Sequence, residues 1–477
     1  MKQLHKILIF SLAVLAIMTF NSCQDYLDVN TDPTKVSDPP LKTMLPVGLV
    51  KTSSVHYSTA YSASQAAHQM DHTNVYFEEF SMGGAWSTIY LSALNNLKLM
   101  VAKAADEKDE NGRNSPFYGG IGKVLEAVNL GMLTSCWEDA PWSEALQGEI
   151  NSKPSYDSQE DIYKSIFTLL DEAIVMLNTS PSANFRLPGG DDLSYGGDIE
   201  SWKRLAYSLK ARYQSHVMKK MNIPAADILS NVDSGFVSND QNFTFPYSEA
   251  LPNPWFTGVS KPRQTGNFSI TTSKYMVALM NGDIRGAFDP RLPVISPLFV
   301  DTTLYIGESS WDQDDASATC ALTVEAYHAM AESPMVMMTY AELKFIEAEV
   351  AMNSGNTSRA YDAYIAGITA NMEMLGVDGT DYLSSAAVAQ DPNDLTISQI
   401  MVEKYIANFL NTESWNDIRR YGYSSDVYTG FTQPDYTGRA QNEQAQRALY
   451  PSSEKSRNEA NYVPHIRDFT EKMWRDK

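Results

Sequence analysis

Apolar positions recur with helical spacing over two long stretches of the chain. In the first, the i, i+3, i+4 repeat runs through residues 45–70, 85–105, 117–136, 161–177 and 200–221, and predicts a helix over each. Clusters such as Asn111-Gly112-Arg113-Asn114-Ser115-Pro116 and Leu187-Pro188-Gly189-Gly190 separate them as breakers. The repeat returns at 340–353, 358–375 and 397–411. Between the two stretches, residues 223–338 are dense in Pro, Gly, Asn, Asp and aromatics, and no helical period lasts. The pattern therefore predicts an all-α frame, about 41–222 and 339–420, around a loop-rich insertion at about 223–338. A structureless run of about 100 residues in a compact protein is usually functional or disordered, and this one carries too many aromatics for disorder.

One pair of elements is more specific. Residues 340–375 read as helix–turn–helix, broken at Gly355-Asn356. Ala360 stands four residues before Tyr364 on the second helix. That is the small–large spacing of a tetratricopeptide helix, where the small residue lets the partner approach and the aromatic fills the gap. Residues 161–177, with Tyr163, Phe167, Leu170 and Ala173, are compatible with another such helix.

The N-terminus changes the picture of compartment. Lys2, His5 and Lys6 precede a run from Ile7 to Phe20 interrupted only by Ser11 and Thr19. The run is too short to span a bilayer but suits a signal peptide, residues 1–22. It ends in Ser22-Cys23, as a bacterial lipobox does, although Phe20 stands where Leu is usual. Cleavage before Cys23 and its acylation are expected, with residues 24–40 as a Pro-rich tether and 41–477 as a single domain. No other stretch approaches 18 apolar residues, so no transmembrane helix is expected. Cys136 and Cys320 would then remain, too few for a disulfide scaffold; buried free thiols are expected.

Composition mostly excludes. Against 37 Lys and Arg stand 58 Asp and Glu, a net charge of -21, which opposes binding of nucleic acid by the bulk surface. No nucleophile elbow, P-loop or dinucleotide fingerprint occurs, and no pair of carboxylates is singled out for catalysis. His68 and His72 have a metal-ligand spacing, but lack the Glu and third ligand of a zinc site; no metal is expected there. Asp28 to Asp32 and Asp312 to Asp315 have oxygens fit for calcium, yet Asp28 to Asp32 lacks the loop's glycine and later Glu. No cofactor is expected.

The 26 Tyr, 18 Phe and 8 Trp suggest another chemistry. A sugar ring offers an apolar C–H face and a rim of hydroxyls. Flat aromatics cover the face at low entropic cost, and Asn, Asp, Gln and Arg serve the rim. Loops that combine both hold Asn74 and Tyr76; Asn253, Trp255 and Arg263, with Asn267 beyond; and Tyr305 with Trp311. These are the candidate ligand-binding residues. Trp202, by contrast, shares a helical face with Leu205, Ala206 and Leu209, and reads as core.

Several segments together resemble the SusD/RagB family of outer-membrane nutrient-binding lipoproteins of Bacteroidetes. Cys23 to Pro33 is similar to the family's opening. Trp137-Glu138-Asp139-Ala140-Pro141-Trp142 with Glu144-Ala145-Leu146 resembles its "GD-x-PY-x-EAL" turn, with Glu138 for Gly and Trp142 for Tyr. Trp202 to Arg212 resembles "W-x-K-x-x-x-SL-x-x-R", Asp289 to Pro293 "DPRLP", and Glu413 to Arg420 "E-x-W-x-D-x-RR". The resemblance spans Cys23 to Lys477. It implies tetratricopeptide-like helix pairs and a lipoprotein of the outer membrane facing the exterior. It also implies a SusC-type TonB-dependent transporter as partner, and capture of oligosaccharide, or in some members peptide, without catalysis. A surface glycoside hydrolase and a helical scaffold without small ligand are the rival readings. Within the last motif, Arg419 and Arg420 suit a local ion-pair network with Glu413 and Asp417; an Arg clamp for a ligand carboxylate is the sharper alternative.

Overall fold

A computed structural model describes residues 38–72, 81–266, 270–308, 318–432 and 444–477. Helices dominate: α1 (Leu41–Ala66), α2 (Asn95–Asp106), α3 (Pro116–Trp137), α4 (Gln159–Leu177), α5 (Ile199–Val217), α6 (Ala225–Ser234), α7 (Lys261–Gln264), α8 (Lys274–Met280), α9 (Tyr340–Asn353), α10 (Thr357–Leu375), α11 (Ile397–Ala407) and α12 (Thr412–Arg420). Two short antiparallel pairs join distant parts: β1 (Met70–His72) with β3 (Ile270–Thr272), and β2 (Phe243–Phe245) with β4 (Met335–Met338). The frame is the expected all-α one. The insertion is less irregular than its composition suggests, since α6 and α8 form within it. Both helices are short, so their periodicity ends before it becomes legible.

Successive helices pack as antiparallel neighbours would: α2 on α3, α3 on α4, α4 on α5, α5 on α6, and α9 on α10. Small residues set the approach. A Cβ on Gly367 of α10 would stand 2.9 Å from the Phe345 ring of α9, and one on Gly120 of α3 would stand 2.8 Å from Leu177 of α4. Ala360 and Tyr364 are both fully buried, as the helix-pair reading requires. Local signals fix the ends. Ser158, Asp198 and Asn356 cap α4, α5 and α10, Thr396 and Gln399 form a capping box on α11, and Gly376 closes α10 at φ +69°.

Helix α1 runs through the middle, against α2, α3 and α12. Much of what it buries is polar: Ser53 meets the Tyr247 hydroxyl at 2.7 Å, Thr52 receives Asn129 at 2.9 Å, and Thr59 meets Thr412 at 3.0 Å. It also ends earlier than its periodicity implied. His68 turns the chain at φ +59°, and Met70 enters β1.

The motifs of the sequence are largely a buried ionic lattice. Arg212 forks onto Glu342 with two bonds of 2.6 Å. Arg291 is fully buried; it holds Asp289 and reaches Glu403 at 2.7 Å and Asn371 at 2.9 Å, so the 289–293 element ties the insertion to α10 and α11. Burial alone would raise the Glu403 carboxyl, but Arg285 and Arg291 outweigh it and hold the group down at about 2. The local network expected around Glu413 forms only in part. Arg420 pairs with Asp417 at 2.5 Å, but its other partner is Glu349 of α9, and Glu413 pairs with His216 at 2.8 Å. Among the described residues Arg419 meets no carboxylate: it lies over the Trp415 ring and donates to the carbonyls of Trp415, Gln446 and Ser135 and to Asn416. With its donors used and 1% exposed, it is no clamp for a ligand.

Glu138, which stands where the resembling family motif has Gly, adopts φ +73° at the end of α3. A side chain there is strained. It is kept because its carboxylate binds buried Arg447 and the Trp474 amide, fastening the 444–477 segment to α3. Cys136 and Cys320 are free and buried, and burial pushes their thiols up to about 12 and 11.

Candidate functional site

The insertion opens one recess of about 380 Å3 to solvent. Its floor is α7, which follows a π-helical turn at Phe256–Ser260; such turns are common at functional sites. Ser260 is pinned below by a 2.6 Å bond to the Ala329 carbonyl. One wall is extended chain: Leu298 bridges Cys320, Phe299 donates to the Thr319 carbonyl at 3.0 Å, and Ala321 to that of Pro297 at 3.1 Å. Thr323, Val324 and Glu325 complete the rim.

Two side chains dominate the recess. The Arg263 guanidinium lies 4.5 Å from the Phe299 ring centroid, a cation–π arrangement. Burial lowers the Arg263 pKa and Glu308 opposes the shift; an arginine still carries its charge. Phe299 is 42% exposed, with exposed Val300 beside it. A half-exposed aromatic ring with a cation over one face and hydroxyl, amide and carboxylate groups on the rim can cover an apolar ring face and serve its polar margin.

The candidate residues read from the sequence are sorted by this geometry. Arg263 lines the recess. Tyr305 does not; it is half-buried, its ring tilted at 60° to that of Phe288 with centroids 5.7 Å apart. Asn253 and Trp255 are a correction. Trp255 is 2% exposed, T-shaped on Tyr57 at 5.0 Å and stacked on Tyr61 at 6.1 Å, so its faces are covered by α1. Asn253 is fully buried, donating to the Ser333 carbonyl at 2.8 Å and receiving the Trp255 amide at 2.7 Å. Both act as core, because a short helical turn folds this loop back onto α1. Asn74, Tyr76, Asn267, Trp311 and Cys23, with both acidic stretches considered for calcium, lie outside the described residues. The described residues flanking Asn74 and Tyr76, Asn267, and Trp311 meet: β1 pairs with β3, Glu308 bridges Ser273, and Ser273 donates to the His68 carbonyl. His68 faces Gln444 and Phe431. Among the described residues no group of His, Cys, Asp or Glu could hold a metal ion.

Phe299, which also lines the recess, was not singled out in the sequence. The apolar run Leu298-Phe299-Val300 between Pro297 and Asp301 was the available signal: three apolar residues in a loop with no helical partner.

The helix-pair fold frames a loop-built recess, and comparison gives the family. A family model described as SusD-like, "Starch-binding associating with outer membrane", matches residues 42–451, and the chain belongs to that family. A SusD homologue from Bacteroides uniformis is 20% identical, with 92% of this chain and 100% of that one covered and a TM-score of 0.71. A chitin-binding SusD homologue from Flavobacterium johnsoniae is 20% identical over 91% and 98%, with a TM-score of 0.72. One from Parabacteroides distasonis is 18% identical over 92% and 97%, also at 0.72. At these identities the likeness establishes the fold. No curated protein matches the chain. Among the described residues no helix is long and apolar enough to cross a membrane.

Proposed function

We propose that this protein is a surface-exposed, lipid-anchored glycan-binding protein that captures oligosaccharide at the Arg263–Phe299 recess. It hands the oligosaccharide to a SusC-type TonB-dependent outer-membrane transporter. The observation that carries the reading is the exposed Phe299 ring under Arg263 on a loop-built wall. Family membership supports it, as does the chitin-binding character of a protein with the same fold. The protein acts by binding and does no chemistry on its ligand.

Calorimetry with chito-oligosaccharides, starch fragments and other glycans tests the binding. A saturable heat with one class of glycan is expected, with the oligosaccharide recovered at its original length. Shorter products would overturn the binder in favour of a hydrolase; heat with peptides alone would move the ligand class. Cys23→Ala is expected to release the protein from the membrane fraction, and persistence there would contradict the anchor. Co-purification of a barrel transporter with the tagged protein tests the partner.

A further inference from the structure

The outer face of α2 differs from that of other frame helices. Gly83 to Asp106 is one continuous helix, in which a π-helical turn at Thr88–Leu94 leads into α2. Its inner side, with Ile89, Leu94, Leu97 and Met100, is buried against α1 and α3. Its outer side presents Gly84, Ser87, Leu91, Asn95, Leu99 and Ala102, all exposed and none charged. Leu91 is 72% exposed and Leu99 54%. The two lysines in this span turn aside: Lys98 lies 4.2 Å from the Trp142 ring centroid, and Lys103 pairs with Glu107 at 3.8 Å. On α4, by contrast, Asp161, Lys164, Asp171 and Glu172 are exposed.

A single exposed leucine is ordinary. An uncharged stripe, about 27 Å long at the rise of an α-helix, is not ordinary on a chain of net charge -21. Net charge of one sign keeps copies of a protein apart, and this face lets two copies touch without opposing their carboxylates.

The stripe is also complementary to itself. Asn95 stands midway between Leu91 and Leu99, four residues from each. About a two-fold axis through Asn95, Leu91 of one copy meets Leu99 of the other, and the two Asn95 amides each donate and accept. A lone Asn in an apolar helix seam fixes register in this way. A lipid surface would leave that amide unpaired in the middle of the stripe, and a charged partner would find no charge to meet. We propose that a second copy of this chain docks on this face, with the two α2 helices antiparallel about Asn95. The stripe shares no residue with the recess at Arg263, so each copy keeps its own recess.

Sedimentation of the chain from Gln24, without its lipid, tests it. A monomer–dimer equilibrium is expected, tightening as salt screens the net charge. Leu91→Glu and Leu99→Glu are each expected to weaken it at least tenfold. Val175→Glu, at a 70% exposed position of α4, is expected to leave it unchanged. With oxidised glutathione, Asn95→Cys should link two copies through one disulfide and Val175→Cys should not; Cys136 and Cys320 are buried and do not compete. The proposal is overturned by a monomer at every concentration and salt, by a dimer indifferent to both glutamate variants, or by a dimer that Asn95→Cys fails to link. It is also overturned if Leu99→Cys is shielded from a soluble thiol reagent only when vesicles or a co-purified transporter are present, which would assign the face to that surface.

Discussion

The frame and the insertion pair the same kinds of residue but cover them to different extents. In the frame, arginines are consumed by the protein: Arg212, Arg291 and Arg420 each close on buried glutamates, and Arg419 on carbonyls and a tryptophan face. Its large aromatics, Trp202 and Trp415, are fully covered, with Trp202 donating to Asp192 at 2.7 Å. In the insertion, Arg263 lies along a phenylalanine that stays 42% exposed. Residue type alone does not tell a covered arginine–aromatic pair from a half-exposed one. What separates them is whether neighbouring helices cover the ring, and Trp255 shows that a loop aromatic can fall on the structural side.

The largest effect is expected where the frame's pairing is broken. Arg291→Ala leaves Asp289 and Glu403 buried with one cation fewer, and should cost about 3–5 kcal/mol in denaturant unfolding. A loss below about 1 kcal/mol would mean the lattice is not structural. Trp255→Ala should cost a similar amount, about 3–5 kcal/mol, by leaving a cavity against Tyr57 and Tyr61. Weakened binding at unchanged stability would return Trp255 to the ligand face and erase the distinction drawn here.

A pH effect follows from Glu126, which burial pushes up to about 7 against the pull of Lys123 and Lys98. Its folded pKa is raised, so its contribution is fully present below about 4.5 and is lost as pH rises through 7. Glu126→Gln should therefore gain roughly 1–3 kcal/mol relative to wild type at pH 8 and little at pH 4. An equal gain at both values would contradict the assignment. Gly367→Ala, which pushes a methyl at the Phe345 ring, should cost about 1–3 kcal/mol; neutrality would show that α9 and α10 have room to part.

Much of the frame was legible because its signals are local and periodic. The spacing of Ala360 and Tyr364, the Gly355-Asn356 break and the Trp202 face each report one helix and its neighbour. The partners of Arg291 and Arg420 were not legible, because they come from α11 and α9, more than 70 residues away. The recess was legible only as a region. Arg263, chosen from its loop context, lines the recess, Phe299 was not chosen, and Trp255 is buried, since exposure in an insertion depends on how the loops fold back on α1. Glu138 marks the same limit from another side: the substitution was visible, but its positive φ and its hold on Arg447 were not.

The smallest change to the fold should make the clearest change to function. Phe299→Ala removes a half-exposed ring and should alter stability by less than about 1 kcal/mol. Titrated calorimetrically with the glycan the wild type binds, it should bind about tenfold or more weakly, the loss of one stacking face. Equal affinity in Phe299→Ala and wild type would contradict the placement of the glycan site in this recess.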